Sequence, residues 1–147
     1  MNILFREVDP FNCWIWIKFF EIPTEAEKNY LLQFLDSWYT LGTLGGFNSE
    51  NLQTHEEGAD LSWMAYDNDR NNEAMPAFLH NVGEMEYQNL WSRFWVDFGT
   101  SDSISIDILI NSLNEISNKY VKIDELIIGG ENSEWAIEEP ENLVFKI

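Results

Sequence analysis

The run Cys13-Trp14-Ile15-Trp16-Ile17-Lys18-Phe19-Phe20, followed by Glu21-Ile22-Pro23-Thr24-Glu25-Ala26-Glu27, decides the reading of this chain. Its first part is β-branched and aromatic, the composition of a strand. Trp14 and Trp16 fall on one side and Ile15 and Ile17 on the other, so both faces are apolar, as in a central strand. Its second part opens a helix. Thr24 and Glu27 have capping-box spacing, in which hydroxyl and carboxylate each satisfy an orphan backbone donor. Tyr30, Leu31, Phe34, Leu35, Trp38 and Leu41 continue as an apolar stripe that needs a sheet beneath it, and Gly42 or Gly45 ends the helix.

Working outward, Ile3 to Val8 reads as a strand, and Asp9-Pro10 supplies the turn of a hairpin with Cys13 to Phe20. Leu61 to Tyr66 reads as a further strand. Asp67 to Glu73 is an exposed polar loop, and Phe78 to Tyr87 is ambiguous between strand and short helix, with Gly83 favouring strand or loop. Leu90 to Phe98 is a second aromatic strand. Ser101, Asp102 or Ser103 caps a second helix, whose Ile106, Leu109, Ile110, Leu113, Ile116 and Tyr120 trace one face, and Val121 to Ile128 closes as a strand. The expected fold is α+β, a mainly antiparallel sheet with two helices on one face, in a single domain over residues 1–147 with an acidic tail from about 131.

Gly45-Gly46-Phe47-Asn48-Ser49-Glu50 recurs as Gly129-Gly130-Glu131-Asn132-Ser133-Glu134. Each copy follows an aromatic strand and a helix, which suggests a two-fold internal pseudo-repeat. Two explanations compete: plain turn chemistry, since glycine admits positive φ, or a shared surface that presents Asn and Glu side chains.

Charge narrows the partners. Eight Lys plus Arg against 26 Asp plus Glu give a net charge of −18. That field repels phosphate backbones and anionic headgroups and attracts a basic protein surface. The aromatic and hydrophobic content, 15% and 45%, is too high for a disordered chain. Cys13 is the one cysteine, so no intrachain disulfide forms; with no secretory pattern at the N-terminus and no apolar run of bilayer length, the expectation is a cytoplasmic protein.

Chemistry has few candidate members. His55 lies in the acidic stretch Thr54-His55-Glu56-Glu57. His80 is the better candidate, because Asn81, Gly83, Glu84 and Glu86 follow it, and a histidine beside carboxylates serves acid/base or metal chemistry. Asp67, Asp69, Asn71 and Glu73 alternate like the first half of a calcium loop, but Asn72 replaces the required glycine and Phe78 the terminal glutamate. The chain has no GxSxG, GxxxxGK[ST] or GxGxxG. No catalytic residue, metal ligand or cofactor is assigned on this reading.

Phe5-Arg6-Glu7-Val8-Asp9-Pro10-Phe11, Leu44-Gly45-Gly46-Phe47-Asn48, Tyr66-Asp67-Asn68, His80-Asn81-Val82-Gly83-Glu84, Asp97-Phe98-Gly99-Thr100-Ser101-Asp102 and Ile127-Ile128-Gly129-Gly130-Glu131-Asn132 together resemble an uncharacterised domain family of cyanobacteria and plant plastids. The resemblance covers nearly the whole chain. It implies an accessory or assembly role for a photosynthetic or related complex, and it brings no catalytic residue with it. The expected function is therefore a non-enzymatic acidic binding or assembly factor for a basic protein. Gly45, Gly46, Asn48, His80, Asn81, Glu84, Gly129, Gly130 and Asn132 are its candidate binding residues. The alternative is a small enzyme or metal-binding domain using His80 and nearby carboxylates.

Overall fold

Strand β2 (Cys13–Phe19) is the centre of the computed structural model, which describes residues 1–46, 78–101, 103–132 and 144–146. On one side it pairs antiparallel with β5 (Trp91–Asp97), and on the other antiparallel with β6 (Ile123–Ile128). Beyond β6 comes β1 (Asn2–Phe5), parallel to it, and then β7 (Val144–Lys146), antiparallel to β1. The outer edge of β5 is shared by two short strands, β3 (Asn81–Val82) and β4 (Glu86–Gln88), both antiparallel to it. The sheet is thus mixed, with the β1–β6 pairing parallel and the remainder antiparallel.

The expected hairpin between the first two strands does not form. β6 inserts between β1 and β2 and pairs with both. The reason is apolar content: Leu126, Ile127 and Ile128 are all buried, so β6 needs a neighbour on each side and a cover on each face. The turn residues at Asp9-Pro10 still reverse the chain, with the Phe11 amide donating to Asp9 Oδ1 at 3.0 Å. The strand they lead to is one position further away.

Helices α1 (Glu25–Thr43) and α2 (Ile104–Lys119) both cover one face. Leu31, Leu35 and Trp38 of α1 and Leu109, Leu113 and Ile116 of α2 meet Ile15, Ile17, Phe94, Val96, Leu126 and Ile128 of the sheet in one core. Each such side chain contributes about 1.5–3 kcal/mol through burial. The capping box is present as the sequence predicts: Glu27 N–H donates to Thr24 Oγ1 at 3.2 Å, and Thr24 N–H to Glu27 Oε1 at 3.0 Å. The expected stripes are too wide at their ends. Tyr30, Leu41 and Tyr120 are exposed, because α1 turns its 31–35–38–42 edge inward and Tyr120 follows the last turn of α2.

The opposite face of the sheet has a smaller cluster. Leu4, Trp16 and Ile127 are buried there, with Trp14 and Trp91 packed against them. The two faces of β2 therefore divide between two cores, as its alternation predicts. The strand expected at Leu61 to Tyr66, the loop Asp67 to Glu73, His55 and Asn48 lie outside the described residues. Of the acidic tail, residues 144–146 dock on the sheet as β7.

Candidate functional site

β2 starts at the end of the sheet where β1, β5 and β6 stop, and the segments that join them there are tied by backbone hydrogen bonds. Gly130 N–H donates to the Glu7 carbonyl at 2.8 Å, Phe98 N–H to Pro10 at 2.7 Å, Thr100 N–H to Phe78 at 3.2 Å, and Leu79 N–H to Gly42 at 2.9 Å. This chain of contacts brings together Arg6 to Asn12, the C-terminal end of α1, Phe78 to Asn81, Phe98 to Ser101, and Gly129 to Asn132. Of the candidate binding residues, Gly45, Gly46, His80, Asn81, Gly129 and Gly130 sit at this end of the fold. Glu84 is exposed in the connection from β3 to β4.

His80 is held on three sides. Its N–H donates to the Asp97 carbonyl at 3.1 Å, its carbonyl accepts from the Tyr39 hydroxyl at 3.5 Å, and its ring lies against Gly99. Gly99 has φ +57, and a Cβ there would clash with the imidazole. The carboxylate that meets the ring is Asp97, with Oδ2 at 3.7 Å from Nδ1. Asp97 Oδ1 accepts from the Gly99 amide at 2.9 Å, which orients the group. Glu86, named with His80 in the sequence reading, is engaged elsewhere, at 2.7 Å from Arg93 Nε. Among the described residues no group of three or more His, Cys, Asp or Glu gathers as a metal ion would require.

The two Gly-Gly turns are not equivalent. Gly45 has φ 78 and closes α1, where Gly45 and Gly46 N–H donate to Gly42 and Leu41 carbonyls. Gly129 and Gly130 are both left-handed, at φ 94 and 73, and end a strand. They also make room. A Cβ on Gly129 would reach the Glu7 carbonyl at 2.5 Å, and one on Gly130 would reach Arg6 Nε at 2.5 Å. The chain then turns back over the Trp16 face, where the Asn132 carbonyl accepts from Arg93 Nη1 at 3.1 Å.

Arg6 and Arg93 were not singled out from the sequence. Each lies over an indole, Arg6 at 5.4 Å from the Trp16 centroid and Arg93 at 4.9 Å from that of Trp14. Lys18 does the same over Trp91 and Lys28 over Tyr87. The β2–β5 register sets Lys18 opposite Trp91 and Arg93 opposite Trp16, diagonal to the Trp14 ring it covers, while no spacing along the chain points to Arg6. Burial pushes the Cys13 thiol up to about 11, a protonated and unreactive group at neutral pH.

A family model described as a protein of unknown function (DUF3531) matches residues 1–143. The chain belongs to that family. No curated protein and no solved structure matches. No helix among the described residues is long and apolar enough to cross a membrane.

Proposed function

We propose that this protein is a non-enzymatic acidic binding or assembly factor, docking a basic protein at the end of the sheet where β2 begins. The observation that supports this most is the surface there. Phe11 and Leu44 are 59% and 74% exposed, with Val8 and Phe78 also exposed, and Glu7, Asp9 and Glu131 are exposed carboxylates on the same segments. Apolar anchors with a charged surround are the composition of a protein contact. The net charge of −18 sets the sign of the partner.

The four cation–ring contacts add to this reading, because Arg6, Lys18, Lys28 and Arg93 are held on this chain's own aromatic rings. The resemblance to a cyanobacterial and plastid domain family makes a photosynthetic complex the setting we propose for the partner. Affinity purification of the tagged chain from such cells, at low and then high salt, tests it. A defined complex that high salt removes supports the reading; a partner held equally at both salts overturns the acidic docking surface.

The His80–Asp97 pair favours a second reading, a small enzyme or metal-binding domain, because an oriented carboxylate beside an imidazole is the core of many acid/base sites. Zinc titration of the wild-type chain and of His80→Ala by calorimetry tests the metal version. Equal heats from both would remove it.

A further inference from the structure

The end of the sheet away from the candidate docking surface carries a second feature, a cleft of about 570 Å³ lined by Phe20, Glu21, Glu27, Tyr120, Val121 and Lys122. It lies where β2 ends and β6 begins, between the first turn of α1 and the residue that ends α2. Phe20 N–H donates to the Lys122 carbonyl at 3.4 Å, which ties its two walls together. Phe20 and Tyr120 are 61% and 62% exposed, so each presents ring surface to solvent at the cleft. Tyr30, also exposed, backs Tyr120 with ring centroids 4.7 Å apart.

We propose that this cleft receives the guanidinium or ammonium of an arginine or lysine from a basic polypeptide. The face of an aromatic ring is the negative end of its quadrupole and attracts a cation placed over it. Among the described residues that contact occurs four times, on Trp14, Trp16, Trp91 and Tyr87. Among the described residues no cation lies over Phe20, Tyr30 or Tyr120. Glu21 and Glu27 supply negative charge in the lining, and Glu27 is pre-positioned because the capping box holds its Oε1 on the Thr24 amide. Lys122 in the lining opposes an incoming cation, and Lys119, close enough to act electrostatically on Tyr120 and Tyr30, is itself paired with Glu115 at 3.0 Å.

The proposal takes the sign of the partner from the acidic-factor reading, but its location at the other end of the sheet makes it separable. The full-length chain is titrated at low salt with an oligo-arginine peptide, with calorimetry for affinity and backbone amide NMR for location. Amide shifts at Phe20, Glu21, Tyr120 and Val121 are expected. Tyr120→Ala weakens binding about two- to five-fold, the size of an exposed cation–ring contact, while Tyr120→Phe retains it. Lys122→Gln tightens it. Tyr120 is exposed, so circular dichroism of the alanine variant is expected to be unchanged and a lost affinity is a lost contact. If the peptide binds but shifts only other amides, and Tyr120→Ala binds as wild type, the cleft is overturned and the acidic reading stands. If the peptide does not bind at low salt, both fall.

Discussion

The guanidinium of Arg6 is clamped between the Trp16 indole, 5.4 Å away at its centroid, and the backbone of Gly130. The Gly-Gly turn after β6 is therefore a packing device as well as a turn. Gly130→Ala puts a methyl group against Arg6 Nε in a backbone at φ +73. The left-handed conformation alone costs a non-glycine residue about 1–2 kcal/mol, and displacement of Arg6 adds to it. Urea denaturation should show a lowered midpoint. Arg6→Ala in the Gly130→Ala background returns the steric part and leaves the backbone part. An unchanged midpoint for Gly130→Ala would contradict the clamp.

His80 and Gly99 stand in the same relation, but with an exposed ring. A side chain on Gly99 meets the imidazole in a backbone at φ +57, so Gly99→Ala destabilises. His80→Ala removes the obstruction at little expense, since its pair with Asp97 has side chains 50% and 23% exposed and such pairs contribute about 0–1 kcal/mol. The double variant should be more stable than Gly99→Ala alone. Non-additivity of that sign in a denaturation cycle confirms the contact; simple additivity shows that the ring does not rest there.

The start of α1 depends on a reciprocal pair of bonds between Thr24 and Glu27. Thr24→Ala should cost about 1 kcal/mol, and Thr24→Ser or Thr24→Asp should recover most of it, because either oxygen accepts from the Glu27 amide. Thermal melts of the three variants measure this. A Thr24→Ala chain that melts with the wild type would mean that the cap is not formed in solution.

That cap was legible from sequence because both its partners lie within four residues, and the division of β2 between two cores was legible because alternation is a local property of a strand. The hairpin expectation failed for the opposite reason. Which strand lies beside β2 is settled by residues more than a hundred positions away, where Leu126 to Ile128 bury on both faces. The same non-local logic hid Asp97 as the partner of His80: their proximity follows from the β3–β5 register, Asn81 against Asp97, and no spacing along the chain reports it. Tyr30 and Tyr120 read as core at helical spacing. They are exposed because α1 turns its 31–35–38–42 edge to the sheet, leaving Tyr30 beside it, and Tyr120 follows the last turn of α2, a choice of edge and end that periodicity does not encode.

Cys13 gives the stability of this protein a pH dependence of known sign. Its thiol has an ordinary value of 9.0 and is pushed up to about 11 by burial, with Asp9 adding to the rise and the Gly129 backbone opposing it. The raised value means that the folded chain keeps its proton where the unfolded chain gives it up. The contribution is therefore fully present below pH 9 and is lost as pH rises through about 11. Its full size is on the order of 3 kcal/mol. Urea midpoints across this range should fall more steeply for the wild type than for Cys13→Ala, which lacks the thiol but shares every tyrosine and lysine that titrates there. The same burial predicts that an aromatic disulfide reagent labels Cys13 slowly in the folded chain at mildly alkaline pH and rapidly in urea. Equal labelling rates in the two states, or parallel pH profiles for wild type and variant, would show that the thiol is not sealed beneath the sheet end.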